Sequence, residues 1–417
     1  MELTAEWERQ LAGAKGNLGR EEFGEILALG QARGLGYTTT EKLLNGKIDE
    51  LIERLDAVAQ EPSNSSLVTL ALGGVDLPSV KVSEMPERMA RLLADDVGGK
   101  NPRQVREWNN KWKRAAKNFI ACVGDRPIAE ISATDAKKFQ SFWSKKRKSA
   151  KQTTDHVNKE IGRMRAIVDA YFKEIEVENY SNPFSGMSLD KTGAENRSRS
   201  QNKRELPAKW IPEVLLNFEA IAGLNDEARD IAIIIGETGT RASEVYDMPE
   251  EHIFLDAAVP HFLIKVEEEG DQQRQVKNTW SIRKVPLIGH ALEAMKRHPK
   301  GFPRYRGNAN YSNAINKYLR ERGLFPGKGL TIRALRHTFE TRLRRAGVEN
   351  EERAQLMGHS LRQLRGREVY GDETKLRIRA LYLELIAFPT DGWAPRSHSE
   401  IHAEIDRLLE EEGFRIR

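Results

Sequence analysis

The sequence predicts a mainly α protein with a small antiparallel β-sheet, split between a helical domain and a mixed α+β domain. Three observations carry this. Apolar residues recur at the 3.6-residue period along most of the first 190 residues and again beyond residue 206. Strand-like runs are confined to 252–255, 261–266 and 282–287. A length of 417 residues is enough for two or three separate cores.

Composition narrows the function classes. Charged residues make up 31% and hydrophobic residues 39% of the chain, ordinary for a soluble globular protein. No apolar run approaches the roughly 20 residues of a membrane span. The N-terminus has no basic stretch followed by an apolar one, so no secretory signal is expected. The single cysteine, Cys122, leaves no disulfide framework and no multi-cysteine metal site, which fits a reducing cytoplasm. Residues 103–165 hold 17 Lys and Arg against 6 Asp and Glu, whereas residues 1–100 hold 11 against 17. A basic middle segment is the footprint of a phosphate-backbone binder. A solvated helical face is the plainer alternative.

Residues 1–100 read as an N-terminal helical region whose role is not legible. Leu43, Leu44, Ile48, Leu51, Ile52 and Leu55 fall at helical spacing between Glu41 and Val58. Residues 61–66, Glu-Pro-Ser-Asn-Ser-Ser, read as a linker, and 67–100 as less regular. Residues 101–190 read as a helical bundle. Trp108, Trp112, Ala115, Phe119 and Ile120 set its first helix. Ser132 or Thr134 caps a second, bearing Ala136, Phe139 and Trp143. A third spans 153–175, with Val157, Ile161, Met164, Ile167, Val168 and Tyr171 on one side. Lys145, Lys146, Arg147, Lys148, Lys151 and Arg163 are the candidate phosphate contacts of this domain. Residues 191–205 are a basic linker, either a strap along a duplex or a plain tether.

Residues 206–390 read as a second globular domain: helices over 211–224 and 226–236, the three strands, then helices to Leu385. A tail helix in 391–417 places Ile401, Ile405, Leu408 and Leu409 on one face. There is no internal repeat.

The chemistry-bearing residues lie in this second half. Arg241 follows Glu237, Thr238, Gly239 and Thr240, after a helix expected to end at Gly236. Its planar guanidinium can grip two phosphate oxygens, which lysine cannot. Glu244, three residues on, can hold Arg241; a surface ion pair of little worth is the plain alternative. Lys277 sits ahead of the strand 282–287, where it can protonate a leaving oxygen, with Lys284 and Arg274 as rivals. Arg333 and Arg336 share a face at a helix start, above Leu335, Phe339 and Leu343. His337 is expected to pack or hydrogen-bond internally. His359 follows a helix at 351–357 and can donate to a phosphate oxygen. Tyr370, beside Gly371 and Asp372, reads as exposed, whereas Tyr382 lies among Ile378, Leu381, Leu383 and Leu385 and reads as core. No Walker glycine loop, His-Glu-x-x-His or Gly-x-Ser-x-Gly element is present.

Two arginines, a lysine, a histidine and a tyrosine can break a phosphodiester by a covalent route. Their order resembles the tyrosine recombinase (phage-type integrase) family: Thr238-Gly239-Thr240-Arg241-Ala242-Ser243-Glu244, Lys277 before Arg283–Leu287, Leu335-Arg336-His337-Thr338, Gly358-His359-Ser360 and Tyr370-Gly371-Asp372. The resemblance covers about residues 105–387. It implies a helical core-binding domain on one side of duplex DNA at 101–190 and a recombinase catalytic domain at 206–390. It implies catalytic roles for Arg241, Lys277, Arg336 and His359, with Tyr370 as nucleophile and neither cofactor nor metal. It further implies a homotetramer on specific recombination sites, a Holliday-junction intermediate, and the bacterial cytoplasm as the setting for a phage or mobile-element protein. The chain departs from the family twice. Arg333 stands where a histidine is usual; it is expected to belong to the catalytic set and to act electrostatically on the scissile or an adjacent phosphate, because arginine can stabilise negative charge but cannot accept a proton. Tyr370 comes later after His359 than the family's usual spacing, behind the arginine-rich stretch 361–367. A type IB topoisomerase would share this chemistry. A non-catalytic DNA-binding protein on a degenerate scaffold is the alternative of a different class.

Overall fold

The chain folds as two units, Met1–Asn196 and Arg197–Arg417, in a computed structural model that describes residues 19–150, 152–178, 180–191, 193, 205–265, 281–308, 310–359 and 373–411. The first unit holds α1 (Arg20–Gln31), α2 (Thr40–Leu44), α3 (Ile48–Ala57), α4 (Ser66–Ala71), α5 (Met85–Leu92), α6 (Ala94–Val97), α7 (Pro102–Val123), α8 (Ala133–Ala150) and α9 (Thr154–Glu174). Side-chain caps start five of them. Thr39, Ser65, Asn101, Ser132 and Thr153 each accept the backbone N–H three residues on. Of the two candidate caps for α8, Ser132 does the capping.

One continuous core fills this unit. Phe23, Leu70, Val82, Met85 and Met89 join Trp112, Phe119, Phe139, Trp143, Ile161, Met164 and Tyr171. The boundary expected at residue 100 is therefore not a boundary between cores. The Tyr171 hydroxyl donates to the Pro78 carbonyl at 2.7 Å. Arg20, Arg88 and Arg91 converge on the buried Glu174 carboxylate. Nor are residues 61–66 a linker, since Val58 and Leu67 on either side enter the same core and Ser65 caps α4. The apolar stripe read between Glu41 and Val58 also falls differently. It breaks after Leu44, and Leu44, Ile48, Ile52 and Leu55 are exposed. The residue α3 buries is Arg54, whose guanidinium satisfies the carbonyls of Gly36, Leu70 and Ala71.

The second unit opens with a short π turn, Ile211–Leu215, then α10 (Asp226–Thr238) and α11 (Ala242–Tyr246). The helix expected over 211–224 stops there because Asn217 accepts the N–H groups of Glu219 and Ala220, replacing helical bonds. α10 runs two residues past Gly236, its end secured by Thr238 Oγ1 donating to the Ile234 carbonyl at 2.6 Å. Strands β1 (Ile253–Phe254), β2 (His261–Ile264) and β3 (Arg283–Pro286) form an antiparallel sheet in the order β1-β2-β3. Phe262 faces Val285 and Ile264 faces Arg283. Then follow α12 (Gly289–Arg297), α13 (Tyr311–Glu321), α14 (Ala334–Arg345), α15 (Asn350–Met357), α16 (Glu373–Glu384) and α17 (His398–Glu411).

Ile231 to Ile235 of α10 are all buried, so this helix runs through the core rather than over it. A second cluster joins Phe339, Leu343, Met357, Leu381, Ile401, Ile405 and Leu408. The tail helix α17 is thus part of this unit, held also by Arg396 on Glu384 at 2.7 and 2.9 Å. Among the described residues no helix is long and apolar enough to cross a membrane. The fold is mainly α with one small antiparallel sheet.

Candidate active site

The site is built around the end of α15. Gly358 takes φ +62°, in the left-handed region. Its N–H bonds to the Gln355 carbonyl and the His359 N–H to the Ala354 carbonyl at 2.8 Å, a Schellman turn. The last carbonyls of a helix have no helical donors. Here three successive ones are each taken by a different arginine. Arg283 Nε donates to Leu356 at 2.9 Å, Arg336 to Met357 at 2.5 Å and Arg241 to Gly358 at 3.1 Å. The negative end of the helix dipole favours this gathering of cations.

Each arginine arrives from a different element. Arg241 caps α11, directly after the turn made by Gly239 (φ +67°) and Thr240. A Cβ at Gly239 would lie 2.1 Å from the Phe339 ring, so the close turn requires glycine. Arg336 lies in the first turn of α14 and donates to the Gly239 carbonyl. Arg283 is on β3, in phase with buried Val285 and Leu287, so its side chain enters the core. Glu244 links two of them. Its Oε1 accepts from Arg241 Nη1 at 2.5 Å, and its Oε2 from the Arg241 backbone N–H at 2.8 Å and from Arg283 at 3.0 Å. Ser281 Oγ accepts a further bond from Arg241 at 3.1 Å.

Electrostatics follow from this packing. Burial alone would raise the Glu244 carboxyl, but Arg283 and then Arg241 hold it down to about 2. Burial pushes the Arg336 guanidinium down to about 9, so it stays charged at neutral pH. Arg336 donates to His359 Nε2 at 2.9 Å, which assigns the ring proton to Nδ1. Burial, and then the Arg336 charge, push the His359 imidazole down to about 4. The ring is therefore neutral, with a lone pair already engaged and an N–H that has no partner among the described residues. Three arginines and one carboxylate leave a net positive cluster. Arg241 and Arg336 each keep two N–H donors without a partner among the described residues. The arrangement can receive a tetrahedral or pentavalent oxyanion.

The structure brings Arg241, Arg336 and His359 together. Arg333, at the N-cap of α14, is exposed and outside this hydrogen-bonded cluster. His337 is exposed too, against the expectation that it packs internally, because Thr338 and Phe339 take the buried side of α14. Lys277 and Tyr370 lie outside the described residues, as does Lys151. In the first unit Lys145 and Lys148 are exposed at the end of α8. Lys146 lies over the Trp143 ring at 4.9 Å. Arg147 donates to Thr154 Oγ1 at 2.6 Å, and Arg163 is paired with buried Glu160. The Arg147 bond links the end of α8 to the start of α9, whereas the Arg163–Glu160 pair lies within α9. Sequence reasoning missed Arg283 and Ser281. The signal for Arg283 was its phase: positions 283, 285 and 287 share one face of a strand whose other members are apolar.

No family model matches the chain, and no curated protein does. Among solved structures the chain is similar to the Tn1549 transposon integrase in complex with transposon right end DNA, with 17% identity over 79% of this chain and 100% of that one, TM-score 0.48. It is similar to a lambda integrase tetramer bound to a Holliday junction, with 16% identity over 70% of this chain and 79% of that one, TM-score 0.47. It is also similar to the XerH site-specific recombinase bound to difH substrate, with 16% identity over 83% of this chain and 92% of that one, TM-score 0.40.

Proposed function

We propose that the chain is a tyrosine-type site-specific DNA recombinase that cuts and rejoins duplex DNA through a 3′-phosphotyrosyl intermediate. One observation carries the reading: Arg241, Arg336 and the Nδ1–H of His359 converge at the end of α15, with N–H donors that have no partner among the described residues. A receptor of that charge and shape suits a phosphate gaining negative charge.

In the proposed reaction the Tyr370 phenol attacks the scissile phosphorus. The Tyr–O–P bond forms as the P–O5′ bond breaks. Lys277 gives its proton to the departing 5′-oxygen. The phenol proton passes to water, because the His359 lone pair is engaged by Arg336. Arg241 and Arg336 balance the charge of the pentavalent phosphorane, and His359 donates to a non-bridging oxygen. A 5′-hydroxyl from a partner strand then reverses the step, so the bond energy is kept in the phosphotyrosine. Work on paired sites by a homotetramer, with exposed cations such as Lys145 and Lys148 on the phosphate backbone, completes the reading.

A nicked suicide substrate tests it. The wild-type chain should leave a covalent DNA adduct on Tyr370, and Tyr370→Phe should bind the same DNA without forming one. Adduct formation by the Phe variant would assign the nucleophile elsewhere. DNA binding without any adduct in the wild type would leave a binding protein.

A further inference from the structure

We propose that Arg283 is a positioning residue that keeps the Arg241 guanidinium available to the reacting phosphate by neutralising Glu244 from inside the core. The inference deepens the recombinase reading and rests on its assignment of Arg241 to the phosphate.

Glu244 is a single carboxylate between two arginines. Its side chain is 8% exposed, that of Arg283 4% and that of Arg241 22%. The inner partner is therefore Arg283 and the outer one Arg241. Arg283 is fixed by three separate bonds, to Glu244 Oε2 and to the carbonyls of Leu356 and Ser281. All three partners are protein groups and the side chain is almost fully buried, so it is not itself a phosphate ligand. Without Arg283 the buried carboxylate would keep Arg241 as its sole ionic partner among the described residues, and the charge Arg241 offers an anion would fall. Arg283 also sets where the other groups stand. It braces β3 against the carbonyl preceding the two that hold Arg336 and Arg241. A Cβ on Gly358 would lie 2.6 Å from Arg283 Nη1, so the turn that presents His359 is packed directly on this guanidinium.

The test compares single-turnover adduct formation by the full chain on two nicked duplexes, one with an ordinary scissile phosphate and one with a methylphosphonate there. The methylphosphonate is uncharged and needs less positive charge at the site. Arg283→Met should slow reaction of the phosphate by on the order of 10²-fold, as loss of an electrostatic partner does, while DNA affinity changes little. The loss should be at least about tenfold smaller on the methylphosphonate. The double variant Glu244→Gln/Arg283→Met removes both buried charges, keeps the volume, and should recover much of the phosphate rate. Wild-type speed for Arg283→Met, or equal loss on both duplexes without recovery in the double variant, would overturn the inference while the recombinase reading stands. No adduct from the wild-type chain would overturn that reading and the inference with it.

Discussion

At the scale of single residues, the site is an arrangement of hydrogen bonds that leaves selected donors without a partner among the described residues. Arg241 and Arg336 both spend part of their guanidinium on backbone carbonyls and keep the rest. Truncating either to alanine should cost on the order of 10²-fold or more in cleavage rate, measured in single turnover on a nicked site. A rate within a few-fold of wild type for both would make them structural pairs only. His359 carries a pH prediction. Its folded pKa of about 4 lies below the ordinary 6.5, through loss of hydration first and then the Arg336 charge, with Arg241 and Arg283 adding to the effect and Glu340 opposing it. As pH falls the unfolded chain takes up that proton first. The stability contributed by the neutral ring is thus present above pH 6.5 and lost as pH falls through 4. Denaturant unfolding near pH 7 and near pH 5 should show a larger loss for wild type than for His359→Gln. Arg333, exposed beside the cluster, should act on binding: Arg333→Glu weakens DNA affinity more than it slows saturated cleavage. A saturated rate lost with affinity intact would place Arg333 at the reacting phosphate.

At the scale of elements, α15 is the organiser. Its C-terminal carbonyls fix three arginines that arrive from α11, β3 and α14, elements far apart in sequence. The Arg342–Glu237 pair, 3.1 Å apart and almost fully buried, bolts α14 to α10 and so holds Arg336 in register. Gly358 is the sensitive point. Gly358→Ala forces a side chain into left-handed backbone and against Arg283. It should destabilise the fold by more than about 1 kcal/mol and slow cleavage with it, as thermal melting and single-turnover rates will show. An unchanged melting temperature would mean that the turn relaxes without the three carbonyls.

At the scale of the whole molecule, each unit has its own core, and residues 19–97 belong to that of the first. The fragment 101–190 should therefore melt well below the fragment 1–196, because it loses Leu70, Val82, Met85 and Met89 and leaves Glu174 without Arg20, Arg88 and Arg91. Equal melting temperatures by circular dichroism would show the N-terminal helices to be dispensable. Binding of duplex DNA by 1–196 should weaken steeply with salt, since its basic residues would displace counterions from phosphates.

The sequence by itself determined the local layer of this protein. Helical period, a cap at Ser132 or Thr134, the three short strands and the order of chemistry-bearing residues were legible because each depends on neighbours within a few positions. Tertiary structure decided the rest. Asn217 ended a helix that periodicity would have continued, and Arg54 took the inward position that helical spacing gave to a leucine stripe. Residues 20–92 joined the core of 102–174 although their charge and composition set them apart. Arg283 became the inner partner of Glu244 because the fold brings together two residues 39 apart in sequence. Burial and ion pairing between distant segments have no local signature, so the order of the site could be read from the chain while its wiring could not.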